Sequence, residues 1–301
     1  MTAIGLSFLA IMGFGSATIF ARLAMTRVGP MPVTFYSLCF SFAASGILAV
    51  IFASGDFITL PLVVLAWCVM LGTFNFLGGR NLSYLAVGRI GAARAGAIVG
   101  TSAVFASILA ITLTGERPHW VVLVGTVVVV GGLATALGKN IMETAGGQSA
   151  GRRVAFIGYL LAFGAACCYG TTNVVVRQLT IDYTSPLVVA TISLFFGILL
   201  VAPVAAKQAV EAIGELRQSP GFMVYAALSG LAAATGVNCT YFALQRAEVV
   251  VVAPIVSANP LFTLLLAALF LQQQENVNRW LVLGIAVTVA GVALVVLGSQ
   301  M

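Results

Sequence analysis

The stretch 249–271 reads VVVVAPIVSANPLFTLLLAALFL and carries no charge from end to end. A helix rises 1.5 Å per residue, so a segment of this length crosses the ~30 Å hydrocarbon core of a bilayer. Outward from it, the pattern recurs along the chain. Apolar segments fall at about 3–24, 32–53, 61–86, 92–114, 119–138, 154–176, 186–206, 222–245, 249–271 and 279–299. Turn and charge signals divide them, such as Gly29-Pro30, Ser54-Gly55-Asp56, Thr184-Ser185-Pro186 and Ser219-Pro220-Gly221. Charged residues are 7% of the chain and hydrophobic ones 61%, whereas soluble domains carry ~25% charged residues. The fold class is therefore an all-α membrane protein with ten transmembrane helices.

The composition also excludes function classes. The net charge of +6 comes from basic residues scattered over many short connections. They form no patch for nucleic acid. Cys39, Cys68, Cys167, Cys168 and Cys239 lie in apolar segments without metal-ligand spacing and read as small buried hydrophobes. The lone histidine, His119, sits in a connection. An enzyme in lipid needs clustered His, Asp, Glu or Ser, and none is visible, so neither metal nor catalytic residues are expected. No Walker loop or other cofactor motif is present. The expected partners are a small-molecule substrate and membrane lipid.

The two halves of the chain match in order. Phe14-Gly15-Ser16 and Arg22 align with Tyr169-Gly170-Thr171 and Arg177. Asn81, Tyr84 and Arg89 align with Asn238, Tyr241 and Arg246, and Glu116 and Trp120 with Glu275 and Trp280. Five crossings reverse the orientation of a repeat. The reading is two inverted five-helix repeats, 1–138 and 154–301, joined by a polar linker at 139–153, a plan common among secondary transporters. Gly125 and Gly132, with Gly284, Gly291 and Gly298, form stripes that serve as packing seams between halves or between protomers of a homodimer.

The pattern Tyr241-Phe242-Ala243-Leu244, Ala253-Pro254, Asn259-Pro260-Leu261-Phe262, Glu275, Trp280, Gly284 and Gly291 resembles an EamA domain. So does its counterpart Tyr84-Leu85-Ala86, Phe105, Gly115-Glu116-Arg117, Trp120, Gly125 and Gly132. The chain is thereby identified as similar to the drug/metabolite transporter superfamily along its whole length. Two positions depart from the family pattern. The aromatic before the first-helix glycine is Phe14 and Tyr169 where Trp is common, and the second Gly-Glu-Arg element has become Gln272-Gln273-Gln274-Glu275. The resemblance implies a central cavity lined by the first, third and fourth helices and by the sixth, eighth and ninth. Tyr84, Ser102, Tyr241 and Asn259 lie on those helices and are candidate substrate contacts or interhelical glue, while Phe14 and Tyr169 would shape the wall. Pro254 and Pro260 would kink the ninth helix and loosen that wall near Asn259.

Arg80 and Arg94 are the sharpest charged features, because their repeat positions hold Val237 and Val251. A charge within a span marks a pathway or site by default. Two guanidiniums at one depth would take a carboxylate or phosphate; alternatively both snorkel to the headgroups. Arg22 and Arg177, as a matched pair, read as caps on helix ends or carbonyls. No span carries an acid at its centre; Glu248, at the edge of the ninth span, reads as a cap. This favours an anionic or zwitterionic solute moved by alternating access. The alternatives are efflux of amphipathic drugs and flipping of a phosphate-bearing lipid. The expected location is a bacterial inner (plasma) membrane. Eleven of the fourteen basic residues lie at odd-numbered connections, which places both termini outside by the positive-inside rule; the family resemblance implies both in the cytoplasm.

Overall fold

The structure, a computed structural model, describes residues 2–25, 28–58, 60–90, 92–142, 149–216, 221–270 and 279–301. Those residues are helical almost throughout. In the first half, α1 (Thr2–Met25) and α2 (Pro30–Phe52) precede the short α3 (Ser54–Ile58). Next, α4 (Leu62–Leu71) runs through a π-helical segment, Gly72–Arg80, into α5 (Asn81–Ile90). Then come α6 (Ala92–Gly100), α7 (Ser102–Leu109) with a π-helical turn Ala110–Thr114, and α8 (Trp120–Met142). The second half holds α9 (Ser149–Asp182), α10 (Pro186–Leu216), α11 (Gly221–Arg246), α12 (Val249–Ser257), α13 (Asn259–Phe270) and α14 (Arg279–Gly298). Helices α8 and α9 thus extend into the stretch read as a linker.

Among the described residues, eight helical stretches are long and apolar enough to cross a membrane, and Trp120–Thr135 and Leu283–Gly298 are shorter apolar helices. Lipid explains the local choices. Without water, backbone groups must be satisfied inside the segment, which only a helix does alone. Hydroxyls inside the spans follow the same rule: Ser7, Thr18, Thr126 and Thr240 each donate to the carbonyl four residues earlier. Side chains such as Leu62 (83% exposed) and Phe52 (73%) point outward where water would reject them and lipid accepts them. One stop is unmistakable. Gly115, at φ +69°, turns the chain left-handed after Thr114 and ends the fourth rod.

The helices pair mainly across the halves. α1 lies along α11, α2 along α10, and α8 along α14; α9 packs on the rod formed by α4, the π-helical segment and α5. Close approaches come in matched sets. Gly79 meets the Tyr169 ring and Gly236 meets the Phe14 ring. Gly15 abuts Phe262 and Gly170 abuts Phe105. Gly72 lies on Phe196 and Gly197, and Gly230 lies on Phe40 and Ser41. The glycine stripes are used inside the chain: a Cβ on Gly125 would stand 2.8 Å from Val295 N, and one on Gly298 2.9 Å from Val122 N.

One mismatch interrupts this order. Asn81 follows Gly72 by nine residues, whereas Asn238 follows Gly230 by eight. The first half holds one extra residue between matched contacts, and the π-helical segment Gly72–Arg80 absorbs it. Such widened turns are rare and concentrate at functional sites.

Candidate functional site

A cavity of about 150 Å³ opens between α1, the π-helical rod, α6–α7, α9, α11 and α12–α13. These are the elements of the first, third, fourth, sixth, eighth and ninth segments of the sequence. Seven candidate residues line it: Phe14, Arg80, Tyr84, Ser102, Tyr169, Tyr241 and Asn259. Arg94 lies on α6, and its side chain is outside the described residues.

Two helix breaks face each other across this space. α6 gives way to α7 at Thr101, and α12 to α13 at Ala258. Both are tightened by i→i+3 bonds, Thr101 N to Ile98 O and Ala258 N to Ile255 O, each 3.0 Å. Pro260 has no N–H for the Val256 carbonyl, and Asn259 Nδ2 donates to that carbonyl instead at 3.1 Å. The kink foreseen near Asn259 is therefore tied by the asparagine itself. Across the gap the Ser102 and Ser257 hydroxyls stand 3.4 Å apart. Deeper, Asn75 Nδ2 donates to the Tyr241 hydroxyl at 3.1 Å. Ser257 and Thr240 were not singled out in the sequence; nothing in their neighbourhoods distinguishes them from packing residues.

Arg80 ends the π-helical segment and is 7% exposed. That burial disfavours the snorkelling reading. Its Nη1 is shut off from solvent and has no protein hydrogen-bond partner. The guanidinium carbon lies 6.0 Å from the centroid of the Phe76 ring, the outer limit for a cation–π contact. No Asp or Glu appears among the described residues lining the cavity. The site therefore offers a buried positive group, aromatic walls, and neutral hydroxyls and amides beyond them.

Other arginines are provided for. Arg177 Nε lies 3.1 Å from Glu116 Oε1, and its Nη1 donates to the carbonyls of Leu244 and Ala247. The Glu116 carboxylate also accepts from Val249 N at 3.0 Å and Val250 N at 3.1 Å. Glu116 therefore caps α12 and its macrodipole, tying the approach to α8 to the ends of α9 and α11. Glu248 is the residue at the N-cap position, but its side chain makes no cap bond. Glu275, the repeat position of Glu116, lies outside the described residues. Arg89 and Arg246 are exposed and each donates to its own helix, to Leu85 O and Phe242 O. His119 is exposed against Trp120. No cluster of metal-ligating side chains occurs among the described residues.

Comparison with known proteins places this geometry. The EamA-like transporter family matches the chain twice, over residues 1–138 and 156–297. A solved crystal structure of a protein superposes with a TM-score of 0.75 at 18% identity, covering 99% of this chain and 97% of its own. That likeness carries the fold. No curated protein matches the sequence.

Proposed function

We propose, from the fact that this chain belongs to the EamA-like transporter family, that it is a secondary transporter for a small organic metabolite bearing an anionic group. Two inverted five-helix repeats, ten crossings in all, alternate access to the central cavity. The matched contacts of Gly79 and Gly236, and of Gly15 and Gly170, support the inverted pairing. The observation that carries the substrate class is Arg80: a buried guanidinium on the cavity wall whose Nη1 has no partner in the protein. A carboxylate or phosphate oxygen supplies the missing acceptor. Whether the solute is anionic or zwitterionic, it is this group that Arg80 holds.

Size narrows the class further. At about 150 Å³ the cavity suits a small solute. A two-chain lipid is much larger. A cationic amphipathic drug would face Arg80 with no counter-charge on the described wall. A thermal-shift screen of purified protein against metabolites tests the reading, since a ligand of the folded state raises apparent stability. Small anions are expected to raise the midpoint, and Arg80→Ala to abolish the shift. If Arg80→Ala and Arg94→Ala each keep the response to every anion, the assignment is wrong. On the basic-residue count we place both termini outside; cytoplasmic activity of a C-terminal reporter refutes that.

A further inference from the structure

We infer that this carrier is an exchanger: it changes its side of access only while an anion is paired with Arg80, so that one anion enters as another leaves. The inference rests on the reading of Arg80 as the anion-binding group.

The chain treats Arg177 and Arg80 differently. Arg177 has a carboxylate and two carbonyls. Arg80 is more buried than Arg177, yet its Nη1 has no protein hydrogen-bond partner and its guanidinium carbon lies 6.0 Å from the Phe76 ring centroid. Arg94, whose side chain lies outside the described residues, has the same sign as Arg80. Alternating access requires an intermediate closed to both sides. In that intermediate an unloaded cavity encloses a guanidinium cut off from bulk water. An uncompensated charge in such surroundings is strongly disfavoured. An anion on Arg80 cancels it and leaves an ion pair that closes with no net charge. A ligand speeds a transition only by favouring the state to be crossed, and here the favoured state is the occluded one. The polar groups across the cavity do not replace the anion: Asn75 spends an N–H on Tyr241 and Ser102 faces Ser257. None of them carries charge.

The test uses the full chain in proteoliposomes with three labelled probes: benzenesulfonate, lactate and inorganic phosphate. Vesicles hold either the same unlabelled anion or only dextran sulfate, which is far too large for the cavity. Uptake of at least one probe is expected to be faster into anion-loaded vesicles by on the order of a hundredfold, the factor set by a bare arginine at the centre of a span. For like-charged partners the exchange is electroneutral, so a potassium diffusion potential leaves the rate unchanged. Arg80→Lys retains the dependence on internal anion. Arg80→Gln, if monodisperse, loses it, with any residual uptake equal in both vesicle types. Equal uptake by the unaltered protein into both vesicle types overturns exchange and leaves the anion transporter standing. No uptake of any probe into either overturns both readings.

Discussion

The rod formed by α4, the π-helical segment and α5 occupies the same place in the first half as α11 does in the second. Both present a glycine to an aromatic ring, Gly79 to Tyr169 and Gly236 to Phe14. Both carry a tyrosine to the cavity, Tyr84 and Tyr241. Both finish with an arginine folded onto its own last turn, Arg89 and Arg246. Between these shared features the halves diverge. The first has one more residue, a widened helix and a buried Arg80; the second has a regular helix and Val237. At the cavity the matched tyrosines stand beside one unmatched pair, Arg80 and Val237. The departure from the repeat on this wall is a difference of charge, a guanidinium in one half against an isopropyl group in the other.

Four sets of substitutions probe that division. The largest effect is expected at the clamp on α12. Glu116→Ala leaves Arg177 without its partner and two N–H groups uncapped, which costs about 3–5 kcal/mol of stability for a buried pair. The apparent unfolding midpoint in detergent measures it. Glu275→Ala shows whether the second half contains an equivalent clamp: a similar loss says that it does. Next, Arg80→Val gives the first half the residue type that stands at its mate. Anion binding is expected to weaken on the order of a hundredfold with the fold intact, measured as a loss of anion-induced thermal shift. Unchanged binding would erase the distinction between the halves. Third, Gly79→Ala and Gly236→Ala push a carbon against an aromatic ring and should each cost ~1–3 kcal/mol. Similar midpoints for the two would confirm that this contact is duplicated, and a one-sided loss would break the comparison. Smallest, Arg89→Gln and Arg246→Gln remove exposed contacts and should each shift stability by less than about 0.5 kcal/mol.

Much of this was legible in the residues. Apolar length shows the helices because lipid leaves the backbone no other way to satisfy itself. Order-preserving matches such as Asn81 with Asn238 show the duplication. Arg80 stood out because its mate is Val237 and charges in spans are rare. Other features were hidden for physical reasons. The extra residue before Asn81 leaves no trace in composition, since a widened turn preserves the apolar face around it. The role of Glu116 depends on Val249 and Val250, which come within reach only when α12 packs beside it. In sequence it stood out only as the repeat match of Glu275 and as part of the Gly115-Glu116-Arg117 element, with no partner visible. Asn259 lines the cavity, and its amide also donates to the carbonyl that Pro260 abandons, a bond that needs the folded helix break to be seen.

The interleaving of the halves bears on how the chain comes to be assembled. Some buried polar groups of the early helices find partners in late ones: Asn75 donates to Tyr241, Ser45 Oγ accepts from Asn238, and Ser41 Oγ lies within reach of Gly230 O as well as of Ser37 O in its own helix. Ribosomes deliver α2 long before α11 exists. Until then these groups must be sheltered by water, by lipid headgroups or by the insertion machinery, because hydrocarbon satisfies none of them. A polypeptide released after α8 would keep Asn75 and Ser45 without these partners in its membrane, and quality control would meet it as an orphan.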